Sequence, residues 1–202
     1  MGHVSGGSFR YARFVSSVSP DGKRILFMST RDHADGEIYV MDADGSNVFR
    51  LTTNEDYEEL PSWSRDGKQI AFCRQIKAGE ASNADIYVMG ADGTGARRLT
   101  HLDSFDSCPV WSLDGKRLAF HYSDSEGAGI MSMSSDGQSL KVVSQPSGDW
   151  YPCWMLGDRV LFISGSGQQY NVYVMNSDGS GRRRLTEHPG RDHQPVLRPV
   201  VR

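Results

Sequence analysis

One short stretch recurs along the chain and limits what the chain can fold into. Its clearest copy, residues 61–72, reads Pro-Ser-Trp-Ser-Arg-Asp-Gly-Lys-Gln-Ile-Ala-Phe. Apolar positions flank a polar corner at Asp66 and Gly67, as expected for two β-strands joined by a tight turn. Asp-Gly between such runs predicts a hairpin, because glycine accepts a positive φ without steric cost. The other copies are residues 18–27, 111–120 and a more divergent 154–162.

A second hairpin follows each copy of the first. Residues 86–93 read Ile-Tyr-Val-Met-Gly-Ala-Asp-Gly, and residues 97–100 read Arg-Arg-Leu-Thr. The second Asp-Gly recurs at Asp44, Asp92, Asp136 and Asp178, so the repeat is about 45 residues long, the length of a propeller blade. We call the strands of a repeat A, B, C and D. The pattern predicts an all-β fold, a β-propeller of four-stranded antiparallel blades with four recognisable repeats. No apolar stripe of helical period occurs, so we expect very little helix.

These repeats resemble the TolB-like, WD40-like (PD40) β-propeller repeat. The resemblance rests on Trp-Ser-x-Asp-Gly-Lys-x-Ile-Ala-Phe, Ile-Tyr-Val-Met-x-Ala-Asp-Gly and Arg-Arg-Leu-Thr, and it covers residues 16–198. It implies the propeller fold and a periplasmic or extracellular location, with a cytoplasmic location as the alternative. Blades of this kind serve in periplasmic TolB, in the gating domain of prolyl-oligopeptidase-type peptidases and in some pectin-degrading lyases, so the resemblance specifies fold more closely than function.

The repeats divide the chain into one propeller domain with two leftover ends. We predict blades at residues 16–60, 61–108, 109–151 and 152–194, a closing strand or extension at residues 1–15, and the start of a further blade or a closing strand at residues 195–202. A small ring, an open arc cut from a larger ring and an arc that closes by self-association all agree with this division. An open arc would expose blade edges, which favours self-association.

Composition excludes several classes of protein. The chain has 202 residues, a formal net charge of -3 and no run of 18 apolar residues. We therefore expect no nucleic-acid partner and no membrane span. No signal peptide is expected at the N-terminus given. Three cysteines are too few for a disulfide framework and we expect them to be small core residues.

The loops indicate where binding would occur. In a propeller the A-B and C-D turns lie on one face and the D-A and B-C loops on the other. The first set consists of tight Asp-Gly turns, which we interpret as structural. The D-A loops carry acids and aromatic residues, which suit a basic peptide, a sugar or a cationic ligand. The predicted partner-binding residues are Asp56, Tyr57, Glu58, Phe105, Asp106, Asp149, Trp150, Tyr151, Asp192 and His193. The alternative for Asp56, Asp106, Asp149 and Asp192 is a structural role, in which each acid bonds local backbone N–H groups.

No motif for catalysis is present. Gly-x-Ser-x-Gly, a P-loop and a dinucleotide-binding fingerprint are all missing. His193-Gln194 is similar to residues near the channel of the lyases of this fold. His188 lies in the same loop as His193 and His101 begins another loop, which keeps a metal-dependent or carbohydrate-active enzyme as an alternative. We expect a non-catalytic scaffold that binds a protein or peptide, with no cofactor and no metal. The remaining alternatives are the gating propeller of a peptidase and a fragment with no activity of its own.

Overall fold

The computed structural model describes residues 17–32, 35–76, 83–144, 148–167, 169–188, 190–193 and 195. These residues contain strands and turns and no helix, and so no helix that could cross a membrane. Their strands are β1 (Ser17–Val18), β2 (Arg24–Ser29), β3 (Glu37–Asp42), β4 (Phe49–Arg50), β5 (Tyr57–Trp63), β6 (Gln69–Gln75), β7 (Ala84–Gly90), β8 (Arg97–Arg98), β9 (Phe105–Trp111), β10 (Arg117–Ser123), β11 (Ala128–Ser134), β12 (Lys141–Val142), β13 (Asp149–Met155), β14 (Arg159–Ser166), β15 (Gln169–Asn176) and β16 (Arg183–Arg184).

The strands form four blades, each an antiparallel sheet taken in chain order. Blade 1 is β1 to β4, blade 2 is β5 to β8, blade 3 is β9 to β12 and blade 4 is β13 to β16. Blades 2 and 3 are also linked by one parallel bridge between Ala84 and Phe105. The predicted fold class, an all-β propeller of four-stranded antiparallel blades, is confirmed.

The A-B turns repeat one arrangement of hydrogen bonds. In blade 2, Gly67 has a φ of 69°, and its backbone N–H donates to the carbonyl oxygen of Ser64 at 2.9 Å. The Ser64 hydroxyl donates to Asp66 at 2.7 Å and accepts from the backbone N–H of Gln69 at 2.9 Å. The serine, aspartate and glycine of this motif therefore all have roles in closing the hairpin, which explains why they recur together.

Strand A contains a bulge at its proline in blades 2, 3 and 4. The residue before each proline has a positive φ of 56° at Leu60, 54° at Cys108 and 54° at Tyr151, and the strand pairing shifts by one residue at each position. The predicted blade divisions at residues 60/61, 108/109 and 151/152 fall inside β5, β9 and β13, because the extended segment begins three or four residues before the proline.

The core lies between successive blades. Blade 1 contributes Leu26, Ile38 and Val40 to a cluster that is completed by Trp63 and Phe72 of blade 2. Equivalent clusters join blades 2 and 3 around Trp111 and blades 3 and 4 around Trp154. The indole N–H of Trp111 also donates to the carbonyl oxygen of Ser62 at 3.3 Å. In blades 2, 3 and 4 the tryptophan of strand A thus stabilises the contact with the preceding blade by burial of apolar area.

The described strands form an open arc. No strand of blade 1 contacts a strand of blade 4. Val18, which has the position of Trp63, is 56% exposed, whereas Trp63 is 7% exposed. Beyond blade 4, Arg191 makes a parallel bridge with Tyr170, at the positions that Phe105 and Ala84 have at the earlier junction. Arg191 therefore lies where strand A of a further blade would begin. The predicted segment 1–15 and residues 196–202 lie outside the described residues.

Candidate functional site

The D-A loops bring the first residues of each strand A to one end of the blades. Tyr57 and Phe105 have equivalent positions, four residues before the prolines of β5 and β9, and both are half-buried. The backbone N–H of Glu58 donates to the carbonyl oxygen of Gly36 at 2.8 Å, which holds this end of β5 against the B-C loop of blade 1. A Cβ on Gly36 would lie 2.8 Å from the Tyr57 ring, so glycine there leaves room for the aromatic side chain.

Three of the predicted binding residues are buried. Glu58, Asp106 and Asp149 lie three residues before the strand-A prolines, and each is 0% exposed. A carboxylate with no exposed surface cannot contact a partner directly. Their burial supports a structural role for Glu58, Asp106 and Asp149, but the contacts described below join them to side chains and not to the local backbone N–H groups that the sequence analysis named.

At the junction of blades 1 and 2, a buried network holds Glu58. The Thr52 hydroxyl accepts from the backbone N–H of Ile38 at 2.9 Å and donates to Glu37 at 2.6 Å. Glu37 is paired with Arg50, and Arg74 lies 2.8 Å from Glu58. Burial raises the pKa of Glu58, and a hydrogen bond from Asn54 and the charge of Arg74 oppose that rise. The negative charges of two carboxylates are thus matched by the positive charges of two guanidinium groups at this junction.

The junction of blades 2 and 3 repeats most of this network. Thr100 accepts from the backbone N–H of Ile86 at 2.9 Å, Arg98 lies 2.8 Å from Asp85, and Ser104 donates to Asp106 at 2.6 Å. Burial raises the pKa of Asp106 to about 6, against the effect of the Ser104 hydrogen bond.

The junction of blades 3 and 4 has a variant of the network. Asp149 is paired with Arg182, which also donates to Ser164 at 2.6 Å. Gly129 has the position that Asp85 has in blade 2, and the Tyr122 side chain lies 2.9 Å from where a Cβ on Gly129 would be. The tyrosine occupies the space that an acid takes in blade 2.

Trp150 is the predicted residue with the most defined setting. Its ring stacks on the His121 ring, with centroids 3.8 Å apart and planes 17° from parallel. His121 is 0% exposed, and its Nδ1 lies 3.2 Å from the Ser107 hydroxyl. Trp150 and Tyr151 are both half-buried. Trp150 is therefore partly exposed to solvent, and the stacked His121 ring fixes the position of the indole.

The remaining predicted residues are at least partly exposed. The side chain of Asp56 is 26% exposed and lies 4.0 Å from Arg74. Asp192 is half-buried and accepts a hydrogen bond from Thr186, and His193 is exposed. Glu59, which the sequence analysis passed over, is half-buried beside the fully buried Glu58. No group of three or more metal-ligating side chains occurs within the described ranges.

Segments of this chain are similar to short segments of two bacterial proteins. The Tol-Pal system protein TolB of Desulfosudis oleivorans is 41% identical over 56 residues, which is 28% of this chain and 13% of TolB. The uncharacterized peptidase YuxL of Bacillus subtilis is 32% identical over 63 residues, 31% of this chain and 10% of the peptidase. This chain therefore aligns with only a small part of each relative.

Comparison of structures extends the similarity to most of the chain. A putative TolB from Agrobacterium tumefaciens superposes with a TM-score of 0.76 and 27% identity, over 85% of this chain and 64% of that protein. The sequence profile described as the TolB beta propeller domain matches residues 3–201. With the bladed fold, the recurrent Asp-Gly hairpins and this match, the chain belongs to the TolB β-propeller domain (PD40) family.

Proposed function

We propose that this chain is a non-catalytic scaffold that binds a protein or peptide partner through the face formed by its D-A and B-C loops. The observation that carries the proposal is the stack of Trp150 on His121, which fixes a partly exposed indole at this face. Rigid aromatic side chains give binding surfaces much apolar area at a low cost in side-chain entropy.

The expected binding surface differs from the one that the sequence predicted. Tyr57, Phe105, Trp150 and Tyr151 supply the apolar contact, because each is half-buried and none is enclosed. Negative charge comes from the more exposed acids Asp56, Glu59 and Asp192, because Glu58, Asp106 and Asp149 have no exposed surface. We therefore propose an extended segment with aromatic or basic side chains as the ligand. Similarity to TolB supports an exported, periplasmic protein.

A peptide library provides a direct test, because the natural partner is unidentified. A display library of random 12-residue peptides is selected on the wild-type protein, and enriched peptides are compared on Trp150→Ala. Leu156→Ala is the matched control, because Leu156 is 69% exposed at the opposite face, in an A-B turn. The proposal predicts peptides that bind wild type and Leu156→Ala equally and lose binding to Trp150→Ala. Failure to enrich any peptide, or equal binding to all three proteins, would contradict it.

The similarity to the peptidase YuxL favours a second candidate, the propeller domain of a longer peptidase. In that case the loop face would meet a catalytic domain of the same polypeptide. Expressing the full-length gene product and assaying hydrolysis of chromogenic dipeptide substrates separates the two. Hydrolysis that depends on a serine outside these 202 residues would support the peptidase.

A further inference from the structure

The three equivalent buried acids differ in their cationic partners. Glu58 lies 2.8 Å from Arg74, and Asp149 is paired with Arg182. Asp106 accepts a hydrogen bond from Ser104, and its Oδ2 atom is buried without a hydrogen-bond partner among the described residues. Oε2 of Glu58 also lacks a hydrogen-bond partner in the described part of the chain, so the two acids differ in that only Glu58 has an arginine beside it. A buried carboxylate oxygen without a partner is costly, because it has lost its water and gained no replacement.

The strand register explains the difference. On β6, Arg74 lies directly opposite Glu58. On β10, the equivalent residue opposite Asp106 is Tyr122. The Tyr122 side chain packs against Gly129, 2.9 Å from where a Cβ would be. The junction of blades 2 and 3 therefore has one arginine fewer than the junction of blades 1 and 2, but the same number of buried acids.

The remaining groups around Asp106 do not restore the balance of charge. Arg98 is the cation of the junction, and it lies 2.8 Å from Asp85. The Sγ of Cys73 on β6 donates to the backbone carbonyl of Asp106 at 3.3 Å. Among the described residues, the titratable and charged groups that face Asp106 or its immediate neighbours are Asp85 on β7, Arg98 on β8, Cys73 on β6, Glu59 on β5, and His121 and Tyr122 on β10.

We propose that the junction of blades 2 and 3 is a pH-responsive contact, which tightens when Asp106 binds a proton and loosens when Asp106 is ionised. A proton supplies the positive charge that arginine supplies to Glu58. It also removes the cost of placing a second carboxylate beside Asp85 in a buried site.

The pH range follows from the direction of the shift. Burial raises the pKa of Asp106 from 3.8 to about 6. A raised pKa means that the folded junction binds the proton more tightly than the opened one, so this stabilisation is complete below pH 3.8 and is lost as the pH rises to about 6. A pKa raised from 3.8 to about 6 corresponds to about a hundredfold change in the opening equilibrium. Asp106 also lies between Phe105 and Ser107, so the responsive contact is next to the candidate binding face.

Carboxyl-carbon NMR titration of the 202-residue chain tests the proposal without a variant. The expected midpoint for Asp106 is close to 6, and amide protection on β9 is expected to fall by roughly ten- to a hundredfold, relative to β5, between pH 4 and pH 7. A midpoint for Asp106 below about 4.5, or equal loss of protection on both strands, would overturn the proposal.

Two reciprocal variants then assign the effect to the missing arginine. Tyr122→Arg gives Asp106 the partner that Glu58 has, and is expected to lower its midpoint by about 1 to 3 pH units. Arg74→Tyr is expected to raise the midpoint of Glu58. His121→Gln is the control for the histidine near Asp106, and should leave the titration of Asp106 unchanged. If the pH dependence disappears in His121→Gln and persists in Asp106→Asn, histidine is the responsive group and the proposal is wrong.

Discussion

A Cβ on Gly93 would lie 2.8 Å from the carbonyl oxygen of Leu51, which directly follows the outer strand β4 of the preceding blade. The same relationship recurs one blade further on, where a Cβ on Gly137 would lie 3.4 Å from the carbonyl oxygen of Leu99. Gly45, in the first described blade, has no atom within 4 Å of its Cβ position. The glycine of the C-D turn therefore has two roles, since it permits the turn and it also lets successive blades approach.

Alanine at Gly93 and at Gly45 separates these two roles. The two glycines have φ values of 85° and 87°, so alanine strains the backbone equally at both, by about 1 to 2 kcal/mol. We expect Gly93→Ala to reduce the free energy of unfolding by about a further 1 to 3 kcal/mol, because the methyl group meets the backbone of blade 1. Urea denaturation of both variants measures the difference. Equal losses would mean that the glycines serve the turn alone.

Replacing Arg74 tests the buried network at the junction of blades 1 and 2. Arg74→Met keeps the length and apolar area of the side chain but leaves the Glu58 carboxylate buried without its guanidinium. We expect the free energy of unfolding to fall by about 3 kcal/mol. Arg65→Met is the control, since Arg65 is exposed at the A-B turn, and should change stability by less than about 0.5 kcal/mol. Similar values for the two variants would exclude a stabilising ion pair at Glu58.

Thr52 and Thr53 offer a comparison between adjacent residues of one type. Thr52 is 5% exposed and its hydroxyl bonds both Glu37 and the backbone N–H of Ile38, whereas Thr53 is exposed. Thr52→Val keeps the shape but leaves a buried donor and a buried acceptor without this partner, so we expect a loss of about 1 to 3 kcal/mol in chemical denaturation. Thr53→Val should be nearly neutral, and a comparable loss there would contradict the assigned hydrogen bonds.

The sequence predicted the blades because their signals are local. Asp-Gly turns and alternating apolar residues determine the hairpins, and four copies at a steady period determine the architecture. The packing role of Gly93 was not predictable in the same way, because it depends on a residue 42 positions earlier in the chain, on another blade.

The burial of the acids at the start of strand A could not be predicted from the local sequence pattern. Alternation counted back from the buried Trp63 would place Glu59 inside and Glu58 outside. The bulge at Leu60 adds one residue to the strand and reverses that order, so Glu58 is buried and Glu59 is half-buried. Whether an arginine lies beside each buried acid then depends on the neighbouring strand, which places Arg74 opposite Glu58 but Tyr122 opposite Asp106.

The affinity of one enriched peptide for Trp150→Ala, measured by isothermal titration calorimetry, tests the proposed binding face most directly. The control is Leu156→Ala, and a thermal melt of each variant confirms that it is folded. Loss of a partly buried tryptophan contact is expected to weaken binding at least about tenfold, while Leu156→Ala keeps wild-type affinity. Unchanged affinity in a folded Trp150→Ala protein, or an equal loss in Leu156→Ala, would contradict the account.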